Sequence, residues 1–340
     1  MTTVLVTHNP SALANYYGPR ALAALRAVAD VRLNPSEADW TSDRLARAAQ
    51  GCDIVVSYRI TGADAALFDR LPDLLAWCRC AVDIRNIDVA AASARGILVT
   101  RATPGFVASV AEWIVGAMID LSRHISAAVI DYRAGIVPAA RMGRELRGAT
   151  LGIVGYGQIG RRLADLGLAL GMRVLVNDPH VRIDDPAMQQ VDFVTLLAQA
   201  DPVVCLAVAN PATENLFDAA AFAAMRPGAM FVNASRGNLV DEAALLAALD
   251  RGQLSGCALD VGREPDQMPS LALARHPRVI ATPHVGGLTP QAIEHQAMDT
   301  VAQVAELVRG RMPAGAVNAG QATRLQARWG GPVAAAEAHE

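Results

Sequence analysis

Three side chains suited to acid–base and anion chemistry stand just past apolar, β-branched runs in the second half of the chain. Arg236 lies in Asn233-Ala234-Ser235-Arg236-Gly237 after AMFVN (229–233), Glu264 follows CALDV (257–261), and His284 follows VIAT (279–282). A guanidinium binds a carboxylate through two parallel hydrogen bonds and polarises a neighbouring carbonyl, a task lysine performs less well. An imidazole gives or takes a proton near neutral pH, and a nearby carboxylate fixes its tautomer and raises its pKa. Converging beside a nicotinamide, the three would form a hydride-transfer site. Taken singly each has a plainer reading: Arg236 as a surface arginine in a turn, Glu264 as a solvated loop acid, His284 as a cap for the next helix.

A second cluster suits a dinucleotide. Gly155-Tyr156-Gly157-Gln158-Ile159-Gly160 follows the strand-like LGIV and opens a helix carrying Leu163, Leu166 and Leu170. There Gly155 permits a tight turn, Gly157 a close approach of pyrophosphate to the backbone, and Gly160 close packing of helix on strand. The helix start, with Gln158 and Ile159, offers free N–H groups to phosphate. Asp178 ends the next run, RVLVND, about twenty residues on, where a carboxylate binds both ribose hydroxyls of NAD and repels the extra phosphate of NADP. Asp178-Pro179 alone would read as a turn starter.

These residues need parallel strands to carry them. Short β-branched runs alternate with Ala-rich helical stretches in two series, TVLVT (3–7), DVRL (30–33), DIVVS (53–57), LLAWC (74–78) and GILVT (96–100), then LGIVG (151–155), RVLVND (173–178), VVCLAV (203–208), AMFVN (229–233), CALDV (257–261) and VIATP (279–283). That alternation predicts two doubly wound α/β domains. A linking helix is expected from Val107, Val110, Ile114, Met118, Leu121 and Ile125. Another is expected after His284, with Thr289 as N-cap, Pro290 in the first turn, and Ile293, Ala297, Val301, Val304 and Val308 on one face. The stretch from about Gly320 reads as a peripheral tail.

With 340 residues the chain is long enough for two cores, and 52% apolar but only 4% aromatic content points to Ala, Val, Leu and Ile packing. A formal charge of -3 with scattered arginines argues against a nucleic-acid partner. Five irregularly spaced cysteines are no disulfide framework, and Cys78 and Cys80 read as reduced packing residues. No signal peptide or run of eighteen apolar residues is seen, so a soluble cytoplasmic protein without membrane partners is expected. His8, His124, His180, His276 and His295 show no metal-ligand spacing and read as surface or capping residues; no metal is expected.

The segments GATLGIVGYGQIG, NASRGNLVDEAAL, ALDV followed by Glu-Pro, and TPHVGGLT stand in the order, and close to the spacing, of the D-isomer-specific 2-hydroxyacid dehydrogenases, a family the chain resembles from about residue 50 to Asn318. The resemblance implies a Rossmann NAD domain (103–285, with the linking helix) and a discontinuous flavodoxin-like substrate domain (1–102 and 286–340), with the active site in the cleft. It implies a catalytic set of Arg236, Glu264 and His284, His284 as acid or base and Glu264 hydrogen-bonded to it. Gly155, Gly157, Gln158, Ile159, Gly160, Asp178, Ala234 and Asp260 would meet NAD, Asp260 at the nicotinamide carboxamide. Val82, Asp83, Arg85 and Arg236 would face a small 2-oxo or 2-hydroxy acid. A homodimer with the linking helix at the interface is also implied.

Three departures bear on that reading. In Ala81-Val82-Asp83-Ile84-Arg85-Asn86-Ile87-Asp88, Asp83 replaces a common glycine and Arg85 a common aspartate; Arg85 either favours a second substrate carboxylate or pairs with Asp83. The span from Asp260 to Glu264 is one residue shorter than in most relatives, which brings Asp266 into contention for the role of Glu264. Leu206 and Val208 replace a His and a Pro on the adenine side. A dinucleotide-sensing module without turnover is the rival from another class. Formate and phosphite enzymes are disfavoured, because Glu264 stands where the first has an amide and Val82 where the second has a lysine.

Overall fold

The computed structural model describes residues 1–330, and the chain divides into two compact units, Met1–Gly105 with the segment from Pro290 onward, and Phe106–Thr289. Each junction falls a few residues beyond the 102/103 and 285/286 boundaries expected above. At the first, Thr103 donates from its backbone N–H and its hydroxyl to the Asp299 carboxylate, each at 2.6 Å, and its hydroxyl meets His295 Nε2 at 2.7 Å. A Cβ on Gly105 would strike the His295 ring at 2.5 Å, so only glycine lets this segment lie along the Pro290–Val308 helix. His295, exposed as expected, is part of that tie.

The first unit is a five-stranded parallel sheet of β1 (Thr3–Val6), β2 (Asp30–Leu33), β3 (Ile54–Ser57), β4 (Ala76–Arg79) and β5 (Leu98–Arg101), ordered β2-β1-β3-β4-β5. The inner strands β3 and β4 are buried at every residue, and edge strand β2 alternates between exposed and half-buried. That contrast is what helices on both faces of a parallel sheet produce. Val4, Val6, Ile54 and Cys78 pack on one face with Tyr17, Leu25 and Val304; Leu5, Val55 and Trp77 pack on the other with Leu45, Phe68 and Ile97.

The second unit has seven parallel strands, β6 (Thr150–Val154), β7 (Arg173–Asn177), β8 (Met188–Gln190), β9 (Pro202–Cys205), β10 (Ala229–Asn233), β11 (Leu254–Leu259) and β12 (Val279–Ala281), ordered β12-β11-β10-β9-β6-β7-β8. The order reverses between β6 and β9, and such a switch point is where open α/β sheets bind ligands. Strand β8 was not expected; three residues, two of them glutamine, leave no apolar signal to read.

The linking helix runs Val107–Arg123 and then breaks, because His124 takes a left-handed conformation (φ 56°) and a second helix, Ile125–Arg133, leaves at 68°. Among the described residues no single helix is long and apolar enough to cross a membrane.

Two readings need correction. The stretch after Gly320 is no loose tail through residue 330: Thr323–Trp329 is a helix, Ala322 and Leu325 are buried in the first core, and Arg324 donates to the carbonyls of Leu71 and Leu74, both at 2.8 Å. Residues 331–340 of that stretch lie outside the described part. His8 is fully buried between Tyr17 and Tyr58, and burial together with Arg79 pulls its pKa down to about 3, so it is a neutral core residue.

All five cysteines are free and buried, and burial pushes the thiols of Cys78, Cys80 and Cys205 up to about 12. The native protein is therefore expected to give no fast thiol signal with a disulfide reagent near pH 8, and five equivalents after denaturation. Rapid labelling of the native protein would contradict this packing.

Candidate active site

In the second unit β6 delivers Gly155 to the switch point with φ 101°, a conformation open to glycine and strained for other residues. A Cβ there would also lie 2.5 Å from the backbone of Leu206, which follows β9. Gly160 faces the Gly155 carbonyl so closely that a Cβ has no room. Gly157 differs: its φ is -74°, which any residue adopts, and a Cβ would meet nothing within 4 Å. The protein's own packing gives no reason for glycine at 157. Open space before the N-terminus of the Gln158–Ala169 helix fits a pyrophosphate approaching the backbone.

Asp178, just past β7, closes this turn. Its Oδ2 accepts from the Tyr156 N–H at 2.8 Å and its Oδ1 from the His180 N–H at 2.9 Å, so the carboxylate that would hold the ribose also holds the glycine turn. Leu206 and the exposed Val208 flank the same crevice edge after β9. These residues fit a dinucleotide: Gly155 to Gly160 would hold the pyrophosphate, and Asp178 the ribose hydroxyls.

Arg236 follows β10 in extended backbone and is half-buried. Asn233 shapes its loop, its amide donating to the Arg236 carbonyl at 2.9 Å and its oxygen accepting from the Ser235 N–H at 3.1 Å, while Arg236 Nη1 donates to the Ser235 carbonyl at 2.7 Å. Ala234, in the same loop, is half-buried. The next residue, Gly237, lies against the Gly262 backbone with no space for a side chain, and its N–H points to Gln267 Oε1 at 3.3 Å. The Arg236 loop is thus packed on the loop that follows β11.

That second loop reaches His284. His284 Nδ1 lies 2.8 Å from the backbone carbonyl of Asp266, and Asp266, Gln267 and His284 all have positive φ (57°, 60° and 55°). Here the structure departs from expectation, because the Glu264 carboxylate is exposed and makes no hydrogen bond with His284 among the described residues. The Asp266 carbonyl thus stands against His284 where a carboxylate was expected. Asp260 itself is buried and holds Thr282, Val285 and Gly286. Sequence reading missed that grip, since its partners lie more than twenty residues away in the chain.

Of the residues assigned to the substrate, Val82, Asp83 and Arg85 are in the first unit, on the loop after β4. Arg85 Nη2 meets Asp83 Oδ2 at 2.6 Å and Nε meets both oxygens at 3.0 Å, so the Arg85 guanidinium is committed to its neighbour. This pairing raises the Arg85 pKa further. No cluster of His, Cys, Asp or Glu able to hold a metal occurs among the described residues.

Residues 115–286 match the family described as D-isomer specific 2-hydroxyacid dehydrogenase, NAD binding domain. An (S)-sulfolactate dehydrogenase of Chromohalobacter salexigens is 38% identical over 266 residues, 77% of this chain and 86% of that protein. A D-3-phosphoglycerate dehydrogenase of Mycobacterium bovis is 33% identical over 318 residues, covering 91% of this chain but 58% of its own length. Among solved structures, the TT0316 protein from Thermus thermophilus superposes with a TM-score of 0.82 at 29% identity, over 93% of this chain and all of that one. The chain belongs to the D-isomer specific 2-hydroxyacid dehydrogenases, and NAD is its cofactor.

The glycine geometry separates two substitutions. Gly157→Ala is expected to leave the melting temperature within about 2 °C and to weaken NADH binding at least about tenfold, since the methyl group intrudes only where pyrophosphate would lie. Gly155→Ala is expected to cost roughly 1–3 kcal/mol of stability from its φ alone. Fluorescence titration with NADH and thermal denaturation check both; equal effects from the two would refute the assignment.

Proposed function

We propose that the chain moves a hydride between NAD(H) and C2 of a small 2-oxo or 2-hydroxy acid of the D series. The observation that carries this reading is the single loop system of the second unit, in which Gly237 on Gly262 and Asp266 on His284 tie a guanidinium loop to an imidazole. NAD supplies the hydride acceptor or, reduced, the donor. Arg236 binds the substrate carboxylate in bidentate fashion and polarises the adjoining carbonyl.

A carbonyl can only accept, so His284 Nδ1 carries the proton in its bond to Asp266. That leaves Nε2 to give a proton to the developing alkoxide, or to take one from the hydroxyl in the reverse direction. The Asp266 carbonyl thereby does the orienting work first assigned to Glu264. Asp178 favours NAD over NADP. Arg85, tied to Asp83, is not assigned to a second carboxylate on the substrate. A sensor without turnover has no use for an oriented acid beside an arginine, which favours the enzyme reading.

We also read the protein as a cytoplasmic homodimer. Its exposed apolar surface is concentrated on and after the second linking helix, at Ile125, Ile130, Tyr132, Ile136, Val137 and Met142, more than a solitary subunit ordinarily shows in one place. Five unpaired cysteines suit a reducing compartment.

The test is NADH and NADPH oxidation with glyoxylate, hydroxypyruvate, pyruvate, phenylpyruvate and oxaloacetate, followed by chiral analysis of the product. Turnover with NADH to the D-hydroxy acid is expected, and Glu264→Gln is expected to keep kcat within about threefold of wild type with an unmoved pH profile. Cofactor binding without turnover on any acid would overturn the assignment, and a shifted profile in Glu264→Gln would restore Glu264 as the partner of His284.

A further inference from the structure

We propose that Arg263 is a positioning residue that holds the turn carrying Arg236 and ties it to the loop after β9; this rests on the proposed role of Arg236 in binding the substrate carboxylate. Arg236 is the N-cap of a short helical turn, Gly237–Leu239, and Val240 closes its far end. There the carbonyls of Asn238, Leu239 and Val240 need donors from outside the turn. The Phe217 N–H donates to Leu239 at 2.9 Å, and Arg263 serves the other two: Nη2 donates to Asn238 and to Val240, each at 3.1 Å, and Nε to Val240 at 3.2 Å. Gly262, next to Arg263 in the chain, lies against Gly237 at the start of the turn. Two consecutive residues of the loop after β11 therefore hold both of its ends.

The same guanidinium reaches the loop after β9. Its Nη1 donates to Glu214 Oε1 at 3.0 Å, and Nη2 donates to the side-chain oxygen of Asn215. Asn238 Nδ2 donates to Glu214 Oε2 at 2.8 Å, and the Asn215 N–H to the Asn238 carbonyl at 2.9 Å. Glu214 and Arg263 are both exposed to solvent, so their opposite charges alone stabilise little. Geometry matters more, because a planar fork of donors serves acceptors on two loops at once, which the point charge of a lysine does not. Leu206 and Val208 lie earlier in the loop after β9, at the edge of the dinucleotide crevice. Arg263 thus joins the cofactor-side loop to the turn that presents Arg236.

A residue that merely stabilised the fold would lower the melting temperature and leave the kinetic constants alone. Arg263→Lys keeps the charge and loses the fork, and Arg263→Ala loses both. The two variants are measured for KM and kcat across pH, for NADH affinity, and for the affinity of the NADH complex for oxamate, a carboxylate that is not reduced. Amide hydrogen exchange is followed in residues 237–241, where the N–H groups of Leu239, Val240 and Asp241 are hydrogen-bonded.

In both variants KM for the oxo acid and Kd for oxamate are expected to rise about tenfold, with kcat within about threefold of wild type. NADH affinity is expected to stay within about threefold and the pH profile to stay unmoved, because neither the glycine turn nor the His284 ring is touched. Exchange in 237–241 is expected to be at least about tenfold faster. Unchanged KM and exchange beside a lowered melting temperature would overturn the proposal, as would weakened NADH binding with an unchanged KM. Exchange needs no turnover, so it decides the hold on the turn even if the wild type reduces no acid, which would instead count against the proposed reaction. Should Arg263→Ala fail to fold, unchanged exchange and oxamate affinity in Arg263→Lys would by themselves refute the role.

Discussion

The backbone at the carboxyl ends of parallel strands is where the second unit carries its proposed site, because there the ladder stops and its polar groups must find other partners. Buried N–H and C=O groups are costly to leave unpaired, so each such end needs a short polar side chain or a tight turn to close it. Asp178 closes the end of β7 on Tyr156 and His180, Asn233 closes β10 on Ser235 and Arg236, and Asp260 closes β11 on Thr282, Val285 and Gly286. Each closure fixes one part of the proposed site: the glycine turn, the arginine loop and the histidine loop.

Glycines make those loops fit together. Gly155 lies on Leu206, Gly160 on Gly155, Gly237 on Gly262, and Gly262 on Met268 and Pro269, all at distances that exclude a side chain. Backbone packed on backbone in this way has little freedom to drift, at the switch point and, separately, in the loop pair beside Arg236 and His284. Gly157 is the exception that points outward, free of protein neighbours and so available to a ligand. Catalysis by orientation depends on that rigidity, since the acid must stay in place while charge develops on the substrate oxygen.

Much of this could be read in the residues themselves. Strands buried on both faces are long apolar runs, and the glycine spacing with Asp178 has few other physical uses. The Arg85–Asp83 pair was readable because its partners are two residues apart. What escaped reading depends on distant neighbours. Met188–Gln190 is a strand only because β7 offers it an edge. The Thr323–Trp329 helix docks through two small patches, Ala322 and Leu325, too few to show a period. The partner of His284 follows from the positive φ of Asp266 and Gln267, which no residue type announces, and His8 reads as a surface or capping residue although tertiary packing buries it.

The most direct measurement of the account is the turnover of a His284→Ala variant set beside its affinity for NADH. Nε2 is assigned to the proton and the dinucleotide to the glycine turn and Asp178, so kcat is expected to fall by roughly 10²–10⁴-fold while NADH affinity stays within about threefold of wild type. Retention of kcat in the variant would remove His284 from the chemistry. A loss of NADH affinity as large as the loss of rate would place it in the cofactor site instead.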